Sequence, residues 1–276
     1  MAESTPGALI EEVARSVLAS GKYAALDPAL VTAVAAQELD KGRRRKDAIK
    51  EVKSRLHQSV GAYWDSHADY AAARTAIEAA PDQAALNGVL PSILRSHHSM
   101  RERLPFLADF YATIFDDIAP VRSVLDLGCG LNPLALPWMK LPAGAAYFAC
   151  DVDRAQIAFL EWWLAHSGQR GRAFVWNLLD GAPQIDEAQS VDVALLLKLA
   201  PCLEQLEKGI VRRLLDELRA AVLIVSFPAQ SLGGQRKGMV ETYAAQMDAL
   251  LAGRTWTVER FEFASELLFR IRKGDS

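Results

Sequence analysis

The stretch Ser123-Val-Leu-Asp-Leu-Gly-Cys-Gly-Leu-Asn-Pro133 limits the fold more than any other part of the chain. Apolar residues run into the acidic Asp126 and then into a turn carrying Gly128 and Gly130. That order describes a buried parallel strand entering a ligand-binding loop. Glycine has no Cβ, so the backbone of such a loop can approach a ligand closely. A dinucleotide fingerprint would place a third glycine at position 133, where this chain has Pro133. The NAD reading is therefore excluded, and a different nucleoside-containing ligand is expected.

From Phe106 onward the pattern alternates between strands and helices, as in a doubly wound α/β domain. Strands are expected at 123–127, 147–151, 173–176, 191–197 and 222–227, with a terminal antiparallel pair at 257–263 and 267–272. Helices are expected between them at 156–166, 205–218 and 239–251. The preceding part reads as helical throughout. Leu9, Ile10, Val13, Val17 and Leu18 share one face of a first helix, and Asp27-Pro28 suits the start of a second. A third helix over 45–60 turns Ile49, Val52 and Leu56 inward, and Ala-rich connector helices punctuated by Pro81 and Pro91 run to Leu94. The expected division is a helical region, 1–105, built on a three-helix bundle at about 8–60, and a ligand-binding α/β domain, 106–276.

Composition bounds the cellular setting. The chain has 276 residues and three cysteines, Cys129, Cys150 and Cys202, without zinc-ligand spacing. No apolar run approaches the ~18 residues of a membrane span, and the first residues lack the pattern of a secretory leader. A cytoplasmic protein with reduced thiols, no membrane and no metal is expected. The net charge is −3, yet residues 41–55 carry eight Lys/Arg against Asp47 and Glu51. A charge run is ordinarily a solvated helix face. Here Lys41, Arg43, Arg44, Arg45, Lys46, Lys50 and Lys53 concentrate on one short segment of an acidic protein, which suits docking on a polyanion at one surface only.

Further along, Asp151 closes the second expected strand, 25 residues beyond Asp126. A carboxylate there can accept both hydroxyls of a ribose; an acid capping the next helix is the plainer alternative. Asn177 ends the third strand, where its side chain could meet an adenine amino group, with the Leu178 amide at the ring. Leu197 ends the fourth. Hydrophobic-Asp-x-Gly-x-Gly, followed by these positions, resembles the cofactor site of S-adenosylmethionine (SAM) methyltransferases.

Several further segments narrow that resemblance. They are Leu56-His-Gln-Ser-Val-Gly-Ala-Tyr63, His97-His-Ser-Met-Arg-Glu-Arg103, Asp126-Leu-Gly-Cys-Gly-Leu-Asn-Pro-Leu134, Leu195-Leu-Leu-Lys198 with Pro201-Cys-Leu-Glu204, and Ser226-Phe-Pro-Ala-Gln-Ser-Leu-Gly-Gly234 with Lys237-Gly-Met239 and Tyr243. With these, nearly the whole chain resembles the aminoglycoside-resistance 16S rRNA (guanine-N7) methyltransferases of the Arm/Rmt and actinomycete self-resistance type. The resemblance implies a class I SAM-dependent methyltransferase fold, a Rossmann-like doubly wound sheet, with an N-terminal all-helical extension that docks on rRNA. It implies methyl transfer to a guanine N7 in the decoding-site helix of the assembled 30S subunit by a monomer, giving S-adenosyl-L-homocysteine and aminoglycoside resistance.

The resemblance also implies residue roles. Arg103 would clamp the methionine carboxylate, since a guanidinium offers paired donors in carboxylate geometry. Tyr63, His97, His98, Ser99, Gly128, Asp151, Asn177, Leu178, Leu197 and Leu206 would surround the cofactor. Lys198 and Met239 would position the base, with Arg236 and Lys237 gripping the RNA backbone. Two places depart from the family pattern: Asn177 stands where an acid is common, and Gln205-Leu206 is offset by one position. A cytosine-C5 methyltransferase using Cys202, a small-molecule methyltransferase and a non-catalytic SAM- or RNA-binding module are the competing readings. Pro201-Cys202 favours the first of these, and the basic helix counts against the second.

Overall fold

A computed structural model describes residues 5–61, 68–118, 120–185, 190–229 and 238–274. Local signals explain the first helices. Thr5 and Asp27 cap α1 (Pro6–Leu18) and α2 (Pro28–Asp40), each with proline in its first turn where no N–H is needed. α3 is Arg45–Ser59. Asp69 and Asp82 cap α4 (Tyr70–Glu78) and α5 (Gln83–Leu94) through the amides of Ala72 and Ala85. Pro91, expected as punctuation, lies inside α5 instead. It removes one backbone donor close to the helix end, while Leu90 and Leu94 on either side are fully buried and hold the last turn in place. α6 (His98–Arg103) and α7 (Leu107–Phe115) complete the helical part.

Then follow β1 (Ser123–Leu127), α8 (Leu136–Met139), β2 (Ala146–Asp151), α9 (Arg154–His166), β3 (Gly171–Val175) and β4 (Val191–Leu197). After these come α10 (Ala200–Leu206), α11 (Ile210–Glu217), β5 (Ala220–Pro228), α12 (Met239–Leu251), β6 (Thr257–Glu262) and β7 (Glu266–Arg272). The single helix expected over 205–218 is thus two. Gly209 takes a left-handed φ of +82° between them, and the Glu204 carboxylate accepts from the amides of Gly209 and Val211 to start α11 afresh.

Seven strands among the described residues form one sheet in the order β3-β2-β1-β4-β5-β7-β6. β1 to β5 run parallel, and β7 inserts antiparallel between β5 and β6. The strand order reverses between β1 and β4, so a crevice opens beyond their carboxyl ends. One sheet face, with Leu125, Leu196 and Leu223, shares a continuous apolar cluster with Val17, Leu30, Val34, Val52 and Leu56 of the bundle. The other packs Val124, Tyr147 and Leu195 against Ile77, Leu94, Phe110 and Ile114. Backbone bonds add to the attachment: Asp27 N–H donates to Val152 O and Arg154 N–H to Ala25 O, both at 2.8 Å. The bundle is therefore fixed beside the end of β2, where it can form part of a site wall.

Candidate cofactor and rRNA site

The glycine turn after β1 opens into a cleft of about 950 Å³, mouth included. Gly128 and Gly130 have φ of +55° and +51°, a region that side chains rarely adopt. A Cβ on Gly128 would stand 2.6 Å from Leu199 Cδ1, and one on Gly130 would stand 2.8 Å from His97 Nε2. The conformation demands glycine, and a side chain at either position would also push Leu199 or His97 aside. The cleft brings together most of the residues expected from sequence: His97, Ser99, Arg103, Gly128, Asp151, Asn177, Leu178, Leu197, Lys198 and Leu206. His98 does not line it; its ring turns to Glu102 (Nε2 to Oε1, 3.2 Å) and Arg101 (Nδ1 to Nη2, 2.7 Å). Met239 opens α12 and is half-buried, also away from the lining. Tyr63, Arg236 and Lys237 lie outside the described residues.

Asp151 is part of the loop's own architecture. Its Oδ2 accepts from Gly130 N–H at 3.0 Å and its Oδ1 from Val152 N–H at 2.7 Å. Oδ1 also accepts from Asp153 N–H at 3.4 Å, so Oδ2 is the oxygen that keeps a lone pair for a further donor. The helix cap is the neighbouring Asp153, bonded to the amides of Ala155 and Gln156. Asn177 caps a short turn over Leu178–Asp180: its Oδ1 accepts from Leu179 N–H at 3.2 Å and its amide donates to Asp180 at 3.1 Å. The His97 imidazole bonds to Ser99 Oγ at 3.0 Å. Burial first, then the charges of Arg103, His98 and Lys198, push its pKa down to about 4, which keeps the ring neutral.

Behind the cleft runs a chain of buried polar groups that the sequence reading did not anticipate. Arg103 is fully buried and pairs its Nε and Nη2 with the two oxygens of Glu266, at 3.0 and 2.8 Å. Its Nη1 reaches Asn132 Oδ1 at 3.3 Å, and its plane lies over the Phe110 ring. Ser226 Oγ donates to Glu266 at 2.5 Å. Lys198, in a left-handed conformation (φ +56°), bonds Glu102 at 2.6 Å and lies 3.7 Å from Glu266. Burial would raise the Glu266 pKa, but the Arg103 and Lys198 charges and the hydrogen bonds outweigh it and leave it below the ordinary value. Asn132 continues the chain, accepting from Tyr111 OH and donating to Asp126 at 2.9 Å, while Tyr147 OH donates to Asp126 at 2.6 Å. Burial pushes the Asp126 pKa up to about 7 against those donors. The Asn-Pro-Leu that follows the glycine turn thus has a structural purpose. Asn132 ties the loop to Arg103, and the Pro133 carbonyl accepts from Trp163 Nε1 at 2.9 Å.

On the basic segment, the charges fall into two sets. Glu38, fully buried, receives Lys41 (2.6 Å), Arg43 (2.8 Å) and Arg55 (2.6 Å), and Arg45 pairs with Glu12 at 2.8 Å. Arg44, Lys46 and Lys50 are exposed, and Lys53 is half-buried. Exposed cations without an ion pair among the described residues are the ones that can release counterions on a phosphate backbone.

Fold, glycine turn and crevice together define a class I SAM-dependent methyltransferase with a helical extension. Residues 19–271 match the family model of the ribosomal RNA methyltransferases (FmrO), and the chain belongs to that family. It is 38% identical to a 16S rRNA (guanine(1405)-N(7))-methyltransferase of Frankia casuarinae, over 96% of this chain and 94% of that one. A protein of the same activity from Micromonospora echinospora is 35% identical over 99% of this chain and its own full length. Among solved structures, the 16S rRNA methyltransferase RmtF in complex with S-adenosyl-L-homocysteine superposes with a TM-score of 0.81 at 32% identity, covering 96% of this chain and 98% of the other.

Proposed function

We propose that the protein transfers the methyl group of SAM to N7 of guanine 1405 of 16S rRNA within the 30S subunit, and so confers aminoglycoside resistance. The observation that carries this reading is the cleft at the switch point of the sheet, with Asp151 fixed to Gly130 N–H and the bundle helices forming one wall. In a family of rRNA methyltransferases, relatives of the stated activity align over essentially the whole chain.

SAM supplies an electrophilic methyl group on a sulfonium. Around it, Asp151 Oδ2, which among the described residues accepts only from Gly130 N–H, takes a ribose hydroxyl, while Oδ1 stays bonded to the Val152 and Asp153 amides. Arg103, held along one edge by Glu266 and through Nη1 by Asn132 and Met100, presents its one uncommitted Nη2 N–H to the methionine carboxylate. Leu178, Leu197 and Leu206 exclude water from the adenine and methyl ends. Guanine N7 carries a free lone pair, so no group has to remove a proton. The chain's task is to extrude the base and hold it in line. Lys198, at the carboxyl end of β4, and Met239 position it, with Arg236 and Lys237 on the RNA backbone. The helical region 1–105 docks on the subunit through its exposed cations, and the enzyme acts as a cytoplasmic monomer.

Incubating the purified protein with SAM and 30S subunits and mapping the modified nucleotide tests this. N7-methylguanine at position 1405 is the expected product. Methylation of a cytosine C5, abolished in Cys202→Ala, or turnover on a small molecule alone would overturn it.

A further inference from the structure

One side chain joins the basic helix to the wall of the cofactor cleft. Arg55 lies on α3 between Val52 and Leu56, both fully buried, and its own side chain is 13% exposed. Its Nη1 donates to Glu38 Oε1 at 2.6 Å and its Nη2 to Gln37 Oε1 at 2.8 Å, both on α2. The same Nη2 also reaches across to α10, to Leu206 O at 2.5 Å and Gln205 O at 3.4 Å. These are last-turn carbonyls of a short helix, which lack intrahelical partners and favour a cation. α10 is a wall of the cofactor cleft through Cys202, Leu203 and Leu206, and the bundle supplies Leu30, Ser59 and Val60 to the same cleft.

The anchor at the other end is firm. Burial would raise the pKa of Glu38, and hydrogen bonds and charge from Lys41 and Arg55 more than reverse this, so the carboxylate stays charged. With its carboxylate so held, Glu38 fixes Arg55 at the helix pair, and Arg55 in turn fixes the end of α10. Only the planar fork of arginine spans Glu38, Gln37 and the α10 carbonyls together; a lysine would satisfy the charge and lose the span.

We infer that Arg55 is a positioning residue for the cofactor: it pins α10 to the bundle and thereby sets how tightly the cleft closes on its ligand. Arg55 does not touch the cleft; it acts through Leu206 and its helix. The inference rests on the reading of the cleft as the SAM site.

The test is Arg55→Lys, which preserves the charge facing both Glu38 and any docked RNA. In the intact protein with 30S subunits, KM for SAM rises about five- to tenfold. Meanwhile kcat at saturating SAM stays within about twofold of wild type, because the contacts in the transition state are unchanged. Hydrogen exchange of the α10 amides quickens while the amides of β1 and β4 keep their protection. Arg55→Met, which lacks both charge and fork, gives at least the same rise in KM. An Arg55→Lys protein with wild-type KM for SAM and wild-type α10 exchange overturns the inference, as does a lower melting temperature with SAM affinity of the folded fraction unchanged. If wild type itself fails to bind SAM by calorimetry, the reading of the cleft fails first and takes this inference with it.

Discussion

Replacing Glu266 by glutamine probes the buried chain behind the cleft. In the native protein the carboxylate accepts two N–H bonds from Arg103 and one O–H bond from Ser226, with Lys198 Nζ 3.7 Å away. Glutamine keeps the shape but offers one acceptor oxygen and turns an NH2 toward the guanidinium or the ammonium. Two cations, 1% and 2% exposed, then lose their shared counter-charge: Lys198 keeps its pair with Glu102, and Arg103 keeps only the more distant charge of Asp126. Breaking a buried pair costs roughly 3–5 kcal/mol. The acceptor that remains recovers about 1 kcal/mol, which leaves a loss of about 2–4 kcal/mol. For a chain of this size that lowers the melting temperature by about 5–15 °C. The sign with pH follows from the lowered pKa of Glu266. A depressed carboxylate contributes stability above its unfolded pKa and loses it as pH falls through the folded value. The gap between wild type and Glu266→Gln is therefore full at neutral pH and narrows in acid. Thermal melts of both proteins from about pH 2 to pH 7 measure it. Equal melting temperatures at neutral pH, or a gap that widens in acid, would refute the assignment of Glu266 as the counter-charge of Arg103 and Lys198.

Three other perturbations separate local causes. A Cβ on Gly171 would stand 1.9 Å from Tyr147 O at a φ of +128°, so Gly171→Ala displaces β3 and yields little soluble protein; Gly42→Ala, at φ +77° in open space, costs only about 1 kcal/mol by urea titration. Asp126, with its pKa raised to about 7, binds a proton that the unfolded chain has released, so its contribution to stability is present in acid and is lost as pH rises through about 7. Asp126→Asn removes that loss, and its melting temperature relative to wild type should climb between pH 5 and pH 8; a flat difference would show that the acid is charged throughout. Removing the exposed charges of Lys46 and Lys50 together should make the log–log salt dependence of 30S binding shallower by about 1.4–1.8, and an unchanged slope would move the docking face elsewhere.

Periodic signals carried most of the architecture. Apolar patterning gave β1, β4 and α12 to the residue, because strands buried on both faces and a helix entered through a left-handed Gly238 leave marks within a few residues. The break between α10 and α11 was not legible, since it depends on Glu204 folding back onto amides five and seven residues on. Gly209 was its one local sign. In the site, residues at strand ends were found because the fold dictates their place: Gly128, Asp151 and Leu197. Arg103, His97 and Ser99 came only through family resemblance, and that same resemblance included His98, which turns away from the cleft. Glu266 and Tyr147 escaped notice altogether. Glu266 opens β7, 163 residues from Arg103, and no local pattern announces a pair formed across that distance.

The buried chain explains why the Asp-x-Gly-x-Gly turn needs the Asn-Pro that follows it. A glycine loop alone is soft, and methyl transfer by in-line displacement tolerates little misplacement of the reacting atoms. Asn132 stiffens the loop from behind by joining Asp126, Tyr111 and Arg103, and Glu266 passes that constraint to β7 and Lys198. Lys198 is therefore unsuited to proton removal: an ammonium has three donors and no acceptor, and here it is committed to Glu102. What the geometry provides is a rigid floor at the ends of β1, β4 and β7, on which a nucleophile that needs no base can be aligned. The exposed cations of α3 lie on the same bundle that walls the cofactor cleft.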